Sequence, residues 1–576
     1  MILTETIKNH KWAIFLAVLA GIIVASPQAY FRYDNQDLYQ GQEIEILRYS
    51  PWTPLVREAS DGHFGLGSPF FKDGKDDPYL HQPVDTTTLA VLGKIFLLDL
   101  NNILLFARFL FPFLLFLAIY GFVILFSKDK LAALASSSAV ILGSTLFGRQ
   151  ELLQLLKGES PVDAFPFFQI VVPSQPLLFF FSFLLVFWLF IEKKQYRYGI
   201  ISTAILGLTF YEYFYNWTFL YAFAGVLGLI YLFQKKWLDL KRIALVLLGG
   251  LLIAIPYFLN LYRASLYPTY PDLEQRFGII ETHAPLLGFV APLLLIVFLL
   301  FFPRKYKERY FFGLALAITP LIVLNQQLIT GRIMEPGHYH WRYNVPLAII
   351  FLLVIFFAWF LAKKGKWAVI KKMLATFIIG ISLYTAIFIQ TAFYADRENE
   401  AIQQQRYGPL IEWLNQNAEK EEVVFADGDL SYLVTIYTPL NVFYHPLARY
   451  FLSASRDRLL DDIFLYYRLD RVNKEEAEEV FFQDRVKFSA VIYGMYYQVL
   501  TGSYQNIPDE IIEEFVQRYQ ASLSIPTDVF LDKLWDTYEV KYLVWDTKTE
   551  PQWQLDQYPF LKKTAEIGDF IIYQRN

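Results

Sequence analysis

About eleven long apolar runs alternate with short connectors in the first 394 residues of the chain, and every second connector is basic. A transmembrane helix needs about 20 mostly apolar residues to cross the hydrocarbon core of a bilayer. The pattern therefore predicts about eleven membrane-spanning helices. The runs cover residues 12–30, 103–126, 131–147, 177–191, 200–210, 217–233, 243–259, 286–302, 311–324, 345–361 and 373–393.

The basic connectors predict the orientation of the helices. Lys and Arg are enriched in cytoplasmic loops, so an N-terminus inside and a C-terminus outside are expected, in a bacterial plasma membrane. The first run could instead be a cleaved signal peptide, but SPQ at residues 26–28 is a poor cleavage site. The basic residues are Lys8, Lys11, Lys128, Lys130, Lys193, Lys194, Arg197, Lys235, Lys236, Lys241, Arg242, Arg304, Lys305, Lys307, Arg309, Lys363, Lys364, Lys366, Lys371 and Lys372.

Composition supports a membrane protein with a soluble part. The hydrophobic fraction of 55% and the positive mean hydropathy argue against a soluble multidomain protein. The absence of cysteine excludes disulfides and thiolate metal sites. The predicted fold class is thus a polytopic α-helical membrane protein with a C-terminal extracytoplasmic α/β domain. No nucleic-acid partner is expected.

The predicted domains are residues 1–394, with a long first outer loop at 31–88, and residues 395–576. Charged residues become frequent after 394, and short strand-like runs appear at 422–426, 441–444, 540–545 and 569–573. A helix is predicted over 406–417. Neither a glycine-rich dinucleotide fingerprint nor a phosphate-binding loop occurs in this part. This domain is therefore expected to cover a cavity or select an acceptor.

Polar residues that suit sugar and phosphate chemistry collect in the predicted outer loops. Arginine binds phosphate with a fork of donors, and amides and carboxylates suit sugar hydroxyls. Glycosyl transfer from a lipid-linked donor needs a general base and a positive charge that stabilises the phosphate leaving group. Residues for both roles on one face of the membrane therefore indicate this reaction. The expected substrate-binding residues are Arg57, His63, Glu212, Asn325, Gln326, Arg332, His338, His340 and Arg342.

These features resemble the GT-C superfamily of integral-membrane glycosyltransferases, which includes mannosyltransferases, aminoarabinose transferases and oligosaccharyltransferases. The resemblance rests on the acidic first loop, the REASDGH stretch at 57–63, the NQQLITG stretch at 325–331 and the outer C-terminal domain. It implies a polyprenyl-phosphate-linked sugar donor, a glycan, lipid or protein acceptor, and a first-loop carboxylate as base. The candidate bases are Asp34, Asp37, Glu45 and Asp61; the other acids of the loop are Glu43, Glu58, Asp73, Asp76, Asp77 and Asp85.

The chain also departs from the family. The adjacent Asp-Glu pair of mannosyltransferases is missing from the first loop, and the Trp-Trp-Asp triplet of oligosaccharyltransferases is missing throughout. Protein N-glycosylation is therefore disfavoured. Clustered carboxylates could hold Mg²⁺ or Mn²⁺, although nothing in the sequence requires a metal. The alternatives are a lipid-linked polysaccharide polymerase, ligase or flippase, and a noncatalytic transporter or scaffold.

Overall fold

The structure is a computed structural model that describes residues 2–44, 50–161, 165, 167, 171, 173–286, 288–360 and 366–575. Helices dominate the part before residue 405. Their bounds are α1 Ile2–Asp34, α2 Trp52–Ser60, α3 Val84–Phe96, α4 Leu100–Ser127, α5 Lys130–Leu142, α6 Arg149–Leu156, α7 Ser174–Lys193, α8 Tyr196–Leu208, α9 Phe214–Phe233, α10 Trp237–Ile253, α11 Ile255–Ser265, α12 Tyr270–Arg276, α13 Val290–Phe301, α14 Lys307–Val323, α15 Gln327–Thr330, α16 Pro336–Tyr339, α17 Val345–Val354 and α18 Lys366–Gln404.

Each predicted apolar run coincides with a helix, but not every helix is long enough to span a bilayer unaided. Within the described residues, six helices are long and apolar enough to cross a membrane, or seven if the bent pair α10 and α11 counts as one. Helices α5 and α13 are shorter apolar helices. The several apolar helices confirm the predicted helical membrane class, whereas the number of eleven spans stays a prediction.

The bend between α10 and α11 has a cause in the sequence. The two helices meet at Ala254 and differ in direction by 49°. Pro256 lies in the first turn of α11, where it lacks the backbone N–H that would continue the ladder of hydrogen bonds. The run at 243–259 therefore forms two helices that meet at Ala254.

The basic connectors meet at one end of the bundle, which we call the basic end. Lys130 Nζ donates to the Asn9 carbonyl oxygen over 3.1 Å, and Lys371 pairs with Asp129, the residue that caps α5. Further ion pairs join Lys128 to Glu192, Lys194 to Asp239 and Lys236 to Glu308. This convergence agrees with the alternation seen in the sequence, and which side of the membrane the basic end faces stays a prediction.

Cysteine labelling tests the predicted orientation, because the natural chain has no cysteine to interfere. We expect Lys548→Cys in the C-terminal domain to react with a membrane-impermeant maleimide in intact cells. Lys194→Cys at the basic end should react only after the membrane is opened. Labelling of Lys194→Cys alone in intact cells would contradict an N-terminus inside and a C-terminus outside.

The C-terminal part contains a five-stranded mixed sheet in the order β4-β3-β5-β7-β6. Strands β3, β4 and β5 are parallel, and β7 and β6 add antiparallel to β5. This sheet confirms the predicted small α/β region. The bounds are α19 Gly408–Asn417, β3 Val423–Phe425, α20 Gly428–Tyr437, β4 Asn441–Val442, α21 Arg456–Leu469, α22 Ala477–Gln483, α23 Arg485–Ile492, α24 Tyr496–Thr501, α25 Asp509–Ser522, α26 Thr527–Thr537, β5 Val540–Asp546, β6 Leu561–Ile567 and β7 Phe570–Arg575; a separate pair, β1 Ile280–Glu281 and β2 Arg332–Ile333, joins two outer loops.

The first outer loop shares a hydrophobic core with the C-terminal part. Leu55, Phe70 and Phe71 are fully buried in the cluster that also contains the sheet. The backbone N–H of Val442 donates to the Phe70 carbonyl oxygen over 2.9 Å. Helix α18 also runs through residue 394 without a break. The predicted boundary at 394 stays a prediction, and the described residues of the loop at 31–88 pack with the C-terminal part.

His445 lies at this interface, and its buried ring is expected to make the packing there sensitive to acid. Its ring is fully buried and stacks on Phe70 at 5.0 Å and Tyr432 at 5.3 Å. Burial, helped by the positive charge of Arg449, lowers the pKa of His445 to about 3. Because the unfolded histidine takes up a proton near pH 6.5, stability that is present above that pH is lost as the pH falls toward 3.

We expect the fall in unfolding free energy between pH 7 and pH 5 to be about 2 kcal/mol larger for the natural chain than for His445→Gln. The glutamine keeps an acceptor for the Leu447 N–H, which the Nδ1 atom of His445 now accepts over 3.2 Å. Denaturation of both proteins in the same detergent, followed by tryptophan fluorescence at each pH, measures the difference. Equal pH dependence of the two proteins would refute the role of His445.

Candidate active site

Two carboxyl groups meet in the interior near the end of the bundle opposite the basic end, which we call the loop end. Asp85 lies in the first turn of α3, and Glu212 lies just before α9. Both side chains are completely buried, and their carboxyl groups lie close enough to affect each other electrostatically. We call these two residues the acid pair.

The acid pair favours a shared proton, because two ionised carboxylates this close together in a buried site repel each other. Burial raises the pKa of Asp85, and the neighbouring charge of Glu212 raises it further. Burial also raises the pKa of Glu212, although a hydrogen bond from Asn216 and the charge of Arg342 act against that rise. A shared proton is the usual result for two acids forced together in an apolar site.

The acid pair has few other partners. The Nδ2 atom of Asn216, one turn along α9, donates to Glu212 Oε2 over 2.7 Å. Among the described residues, no N–H or hydroxyl group donates to either Asp85 oxygen or to Glu212 Oε1. An unpaired buried polar group costs about 1–3 kcal/mol. Such free acceptors are typical of a site that a substrate hydroxyl completes.

A cationic group borders the acid pair. Arg342 lies close enough to Glu212 for its positive charge to act against the rise in the pKa of that carboxyl. The Arg342 guanidinium packs 4.9 Å from the ring centre of Tyr213 and donates to the Tyr213 hydroxyl. The same hydroxyl contacts His338 Nδ1 at 2.6 Å, and His338 Nε2 lies 2.9 Å from Glu335 Oε2. Arg342 and His338 are half-buried, so they form the more exposed side of the site.

Local backbone geometry positions Arg342 and His338. His338 lies on α16, and Arg342 lies in a π-helical turn over residues 340–344 that leads into α17. A π turn adds one residue to the helical repeat and is frequent at functional sites. The turn places His338 and Arg342 against the same ring, that of Tyr213.

The structure therefore brings together three of the nine expected binding residues, namely Glu212, His338 and Arg342. Arg332 is 2.9 Å from Glu274 on α12, and His340 packs edge-on against Trp341. Asn325 bonds the backbone of Leu286 and Leu321, and Gln326 bonds the backbone of Arg332. Arg57 donates to Asp61, and His63 faces Glu421 at 2.8 Å. These other residues hold loops together in this structure, and their binding roles stay predictions.

The four expected bases are also in different surroundings. Asp34 is exposed and accepts a hydrogen bond from Tyr394 over 3.1 Å, and Asp37 is exposed in the turn after α1. Asp61 is ion-paired with Arg57. Glu45 lies outside the described residues. No one of the three described acids belongs to the acid pair, and their catalytic roles stay predictions.

Asp85 was not selected from the sequence, although a signal for it exists there. It stands four residues before Leu89 and eight before Gly93, both of which are buried on the inner face of α3. An acid on that stripe must point inward. The stripe was the only indication that distinguished Asp85 from the other acids of the first loop.

The described residues do not support the expectation of a bound metal. Within the described ranges, no group of three or more histidine or acidic side chains is arranged to hold a metal ion. The acid pair supplies only two carboxyl groups, and Arg342 adds a positive charge beside them.

Comparison with known proteins gives similarity in structure alone. No family model matches the sequence, and no curated protein matches it. The structure resembles that of an oligosaccharyltransferase from Archaeoglobus fulgidus in the apo form, with a TM-score of 0.47 and 13% identity over 94% of this chain and 70% of that chain. It also resembles ArnT from Cupriavidus metallidurans bound to undecaprenyl phosphate, with a TM-score of 0.45 and 11% identity over 98% of each chain.

Both neighbours are GT-C membrane glycosyltransferases, the class to which the sequence features showed a resemblance. At these identities and TM-scores, the resemblance transfers neither an activity nor the role of any residue to this chain.

Proposed function

We propose that the chain is a glycosyltransferase that uses the acid pair as its base at the outer face of the bacterial plasma membrane. The donor is a sugar linked to polyprenyl phosphate, and the acceptor provides a hydroxyl group. The observation that carries the proposal is the contact between Asp85 and Glu212, two fully buried acids beside Arg342.

The reaction needs a proton acceptor and a stabilised leaving group. As the acceptor oxygen forms its bond to the anomeric carbon, the bond from that carbon to the phosphate oxygen breaks. The hydroxyl proton passes to the acid pair, and polyprenyl phosphate leaves. A carboxylate whose pKa is raised by burial is a stronger base than an exposed one, so it suits this proton transfer near neutral pH.

The cationic side of the site suits the leaving phosphate. Arg342 and His338 are half-buried, so a phosphate could contact them while the sugar lies over the acid pair. The guanidinium of Arg342 binds phosphate oxygens with its fork of donors and stabilises the charge that develops on them. Glu335 and Tyr213 hold His338 in place from its two ring nitrogens.

A transfer assay tests the proposal. The purified protein in liposomes is supplied with polyprenyl-phosphate-linked hexoses, pentoses and aminosugars, and release of polyprenyl phosphate is measured with and without glycan and lipid acceptors. We expect release with at least one donor, and we expect it to depend on an acceptor. Full activity in Asp85→Asn, or activity in Asp76→Asn lowered to the same extent as in Asp85→Asn, would refute the assigned base.

Removal of the cation should change donor binding and chemistry together. We expect Arg342→Gln to lower kcat/KM for the donor by about 10²-fold or more, because the donor phosphate loses the arginine that binds it and stabilises its developing charge. Arg332→Gln is the matched control from the same outer loop, and its arginine pairs with Glu274 instead. Equal losses in the two variants would contradict the role given to Arg342.

A further inference from the structure

Four side chains beside the acid pair form one continuous row of polar contacts, which we call the polar row. Glu335 Oε2 lies 2.9 Å from His338 Nε2, and His338 Nδ1 lies 2.6 Å from the Tyr213 hydroxyl oxygen. Arg342 completes the row, since its Nη1 atom donates to the same hydroxyl oxygen. Both ring nitrogens of His338 and the hydroxyl group of Tyr213 are therefore engaged within the row.

The two ends of the polar row fix the direction of every hydrogen bond in it. A guanidinium has N–H donors and no acceptor, so the Tyr213 oxygen accepts the bond from Arg342. An ionised carboxylate only accepts, so His338 Nε2 carries a proton and donates it to Glu335. A neutral imidazole has one N–H, and neutral is its usual form above about pH 7. His338 Nδ1 is therefore an acceptor, and the Tyr213 O–H donates to it.

This direction has a consequence for Arg342. Because the Tyr213 hydrogen is directed to His338, a lone pair of the hydroxyl oxygen remains for the guanidinium. With the opposite tautomer of His338, an Nδ1–H group would occupy that oxygen, and the hydrogen of Tyr213 would lose its acceptor. The bond that one imidazole nitrogen makes decides which nitrogen carries the proton. Glu335 therefore selects the tautomer of His338 that lets Tyr213 hold the guanidinium.

Packing keeps the members of the polar row in place. Tyr213 is buried, and its ring centre lies 6.0 Å from that of His338 and 4.9 Å from the guanidinium carbon of Arg342. The ring of Tyr215 packs edge-on against His338 at 4.6 Å. Glu335 directly precedes α16, and its carbonyl oxygen accepts the His338 backbone N–H over 3.2 Å. The contact at the Glu335 end is therefore local, whereas the contact with Tyr213 is made by the tertiary fold.

We propose that Glu335 is a positioning residue for Arg342 and acts along the polar row. The inference rests on the proposed function, in which Arg342 binds the donor phosphate. Glu335 touches no substrate in this role. It keeps the Tyr213 oxygen available as an acceptor, and that oxygen holds one side of the guanidinium while the other N–H groups bind the phosphate.

The tautomer of His338 tests the direction of the polar row in the natural chain. The ¹⁵N-histidine-labelled protein in phosphatidylcholine liposomes is measured by solid-state NMR at about pH 8, where imidazole is neutral. The chain has seven histidines, and the signals of His338 are identified by their loss in His338→Gln. We expect an unprotonated Nδ1 and a protonated Nε2. A protonated Nδ1 would overturn the inference, whatever the activity of the protein.

Binding of a phosphate-bearing probe tests the effect on Arg342. The full-length protein in phosphatidylcholine nanodiscs is titrated with farnesyl phosphate and with farnesol, which lacks the phosphate. We expect Glu335→Ala and Tyr213→Phe each to weaken farnesyl phosphate about 10-fold, because the guanidinium loses its held hydrogen bond, and to leave farnesol unchanged. Glu335→Gln should stay within about threefold of the natural affinity, since its amide oxygen still accepts the His338 Nε2–H.

A double-mutant cycle separates a positioning role from a merely structural one. If Glu335 acts through Tyr213, the double variant of Glu335→Ala and Tyr213→Phe should bind farnesyl phosphate no more weakly than Tyr213→Phe alone. Glu274→Ala is the matched control, because Glu274 pairs with Arg332 at 2.9 Å instead, and it should change the affinity less than about twofold. Losses that multiply in the double variant, or a loss in Glu335→Gln as large as that in Glu335→Ala, would overturn the inference.

Failure of this inference and failure of the proposed function give different results. The tautomer of His338 and the binding of farnesyl phosphate are both measured without sugar transfer. If the tautomer and the double-mutant cycle are as expected but no sugar is transferred, the positioning role stands and the glycosyltransferase proposal fails. If sugar is transferred while Glu335→Ala, folded by circular dichroism, keeps the natural affinity for farnesyl phosphate, the inference fails alone.

Discussion

Asp85→Asn is expected to lower the rate of sugar transfer by about 10²–10⁴-fold with little change in KM for the donor. General base catalysis contributes an effect of this size, and the amide cannot take the acceptor proton. Glu212→Gln should cause a comparable loss, because it removes the partner with which Asp85 shares a proton. Initial rates at saturating donor and acceptor measure both effects.

The matched control is Asp76→Asn, an exposed acid of the same loop. It should transfer sugar within about twofold of the natural rate, because most surface substitutions have small effects. Circular dichroism and thermal denaturation of each variant separate loss of chemistry from loss of fold. An Asp85→Asn protein that is folded and fully active would contradict the assignment of the base.

Arg276→Met is expected to destabilise the attachment of α12 to the C-terminal part by about 3 kcal/mol or more. Arg276 on α12 is fully buried, and its guanidinium donates to the carbonyl oxygens of Ile492, Arg449 and Ala454. Methionine would fill similar space but leave those carbonyls without donors, and each unpaired buried group costs about 1–3 kcal/mol.

Thermal denaturation and limited proteolysis between α11 and β1 measure this loss. Arg263→Met is the control, because Arg263 is exposed at the end of α11 and has no hydrogen-bond or ion-pair partner among the described residues. Gly494→Ala tests the same contact from the other side. The Gly494 backbone has φ +57°, and an added Cβ would lie 2.3 Å from the Arg276 carbonyl oxygen. Natural stability in both Arg276→Met and Gly494→Ala would contradict the structural role of this contact.

The helices were predictable because apolar runs of this length are typical of membrane-spanning helices. The basic connectors likewise predicted that Lys130, Lys194 and Lys371 would lie at one end of the bundle. In the structure these lysines contact the Asn9 carbonyl oxygen, Asp239 and Asp129, respectively. The strands β3, β4, β5 and β7 were visible as short apolar runs. Strand β6 was not, because it contains three consecutive exposed polar residues, Lys562, Lys563 and Thr564, at the edge of the sheet.

The candidate site was predictable only in part. Glu212, His338 and Arg342 could be selected because each is a charged or titratable residue within an aromatic stretch of an outer loop. The contact of Glu212 with Asp85 depends on the tertiary fold that brings the first turn of α3 to the segment before α9, and no local pattern specifies that arrangement. The π turn over residues 340–344, which carries Arg342, also has no sequence signature of its own.

Glu43 illustrates the same limit. In the sequence it is one of several acids in the first loop. Its burial, the bonds from Arg32 and Tyr39 to one oxygen, and the second oxygen without a donor among the described residues all depend on the tertiary fold. The sequence could place a carboxylate on the outer side, and only the packing separates Glu43 and Asp85 from Asp34 or Asp37.

A double-mutant cycle on sugar transfer tests the acid pair most directly. Rates are measured for the natural chain, Asp85→Asn, Glu212→Gln and the double variant. Residues that act as a unit have strongly non-additive effects. We expect the double variant to be about as slow as either single variant, because one shared proton acceptor is lost in each case. Natural rates in both single variants, or losses that multiply in the double variant, would contradict catalysis by the pair.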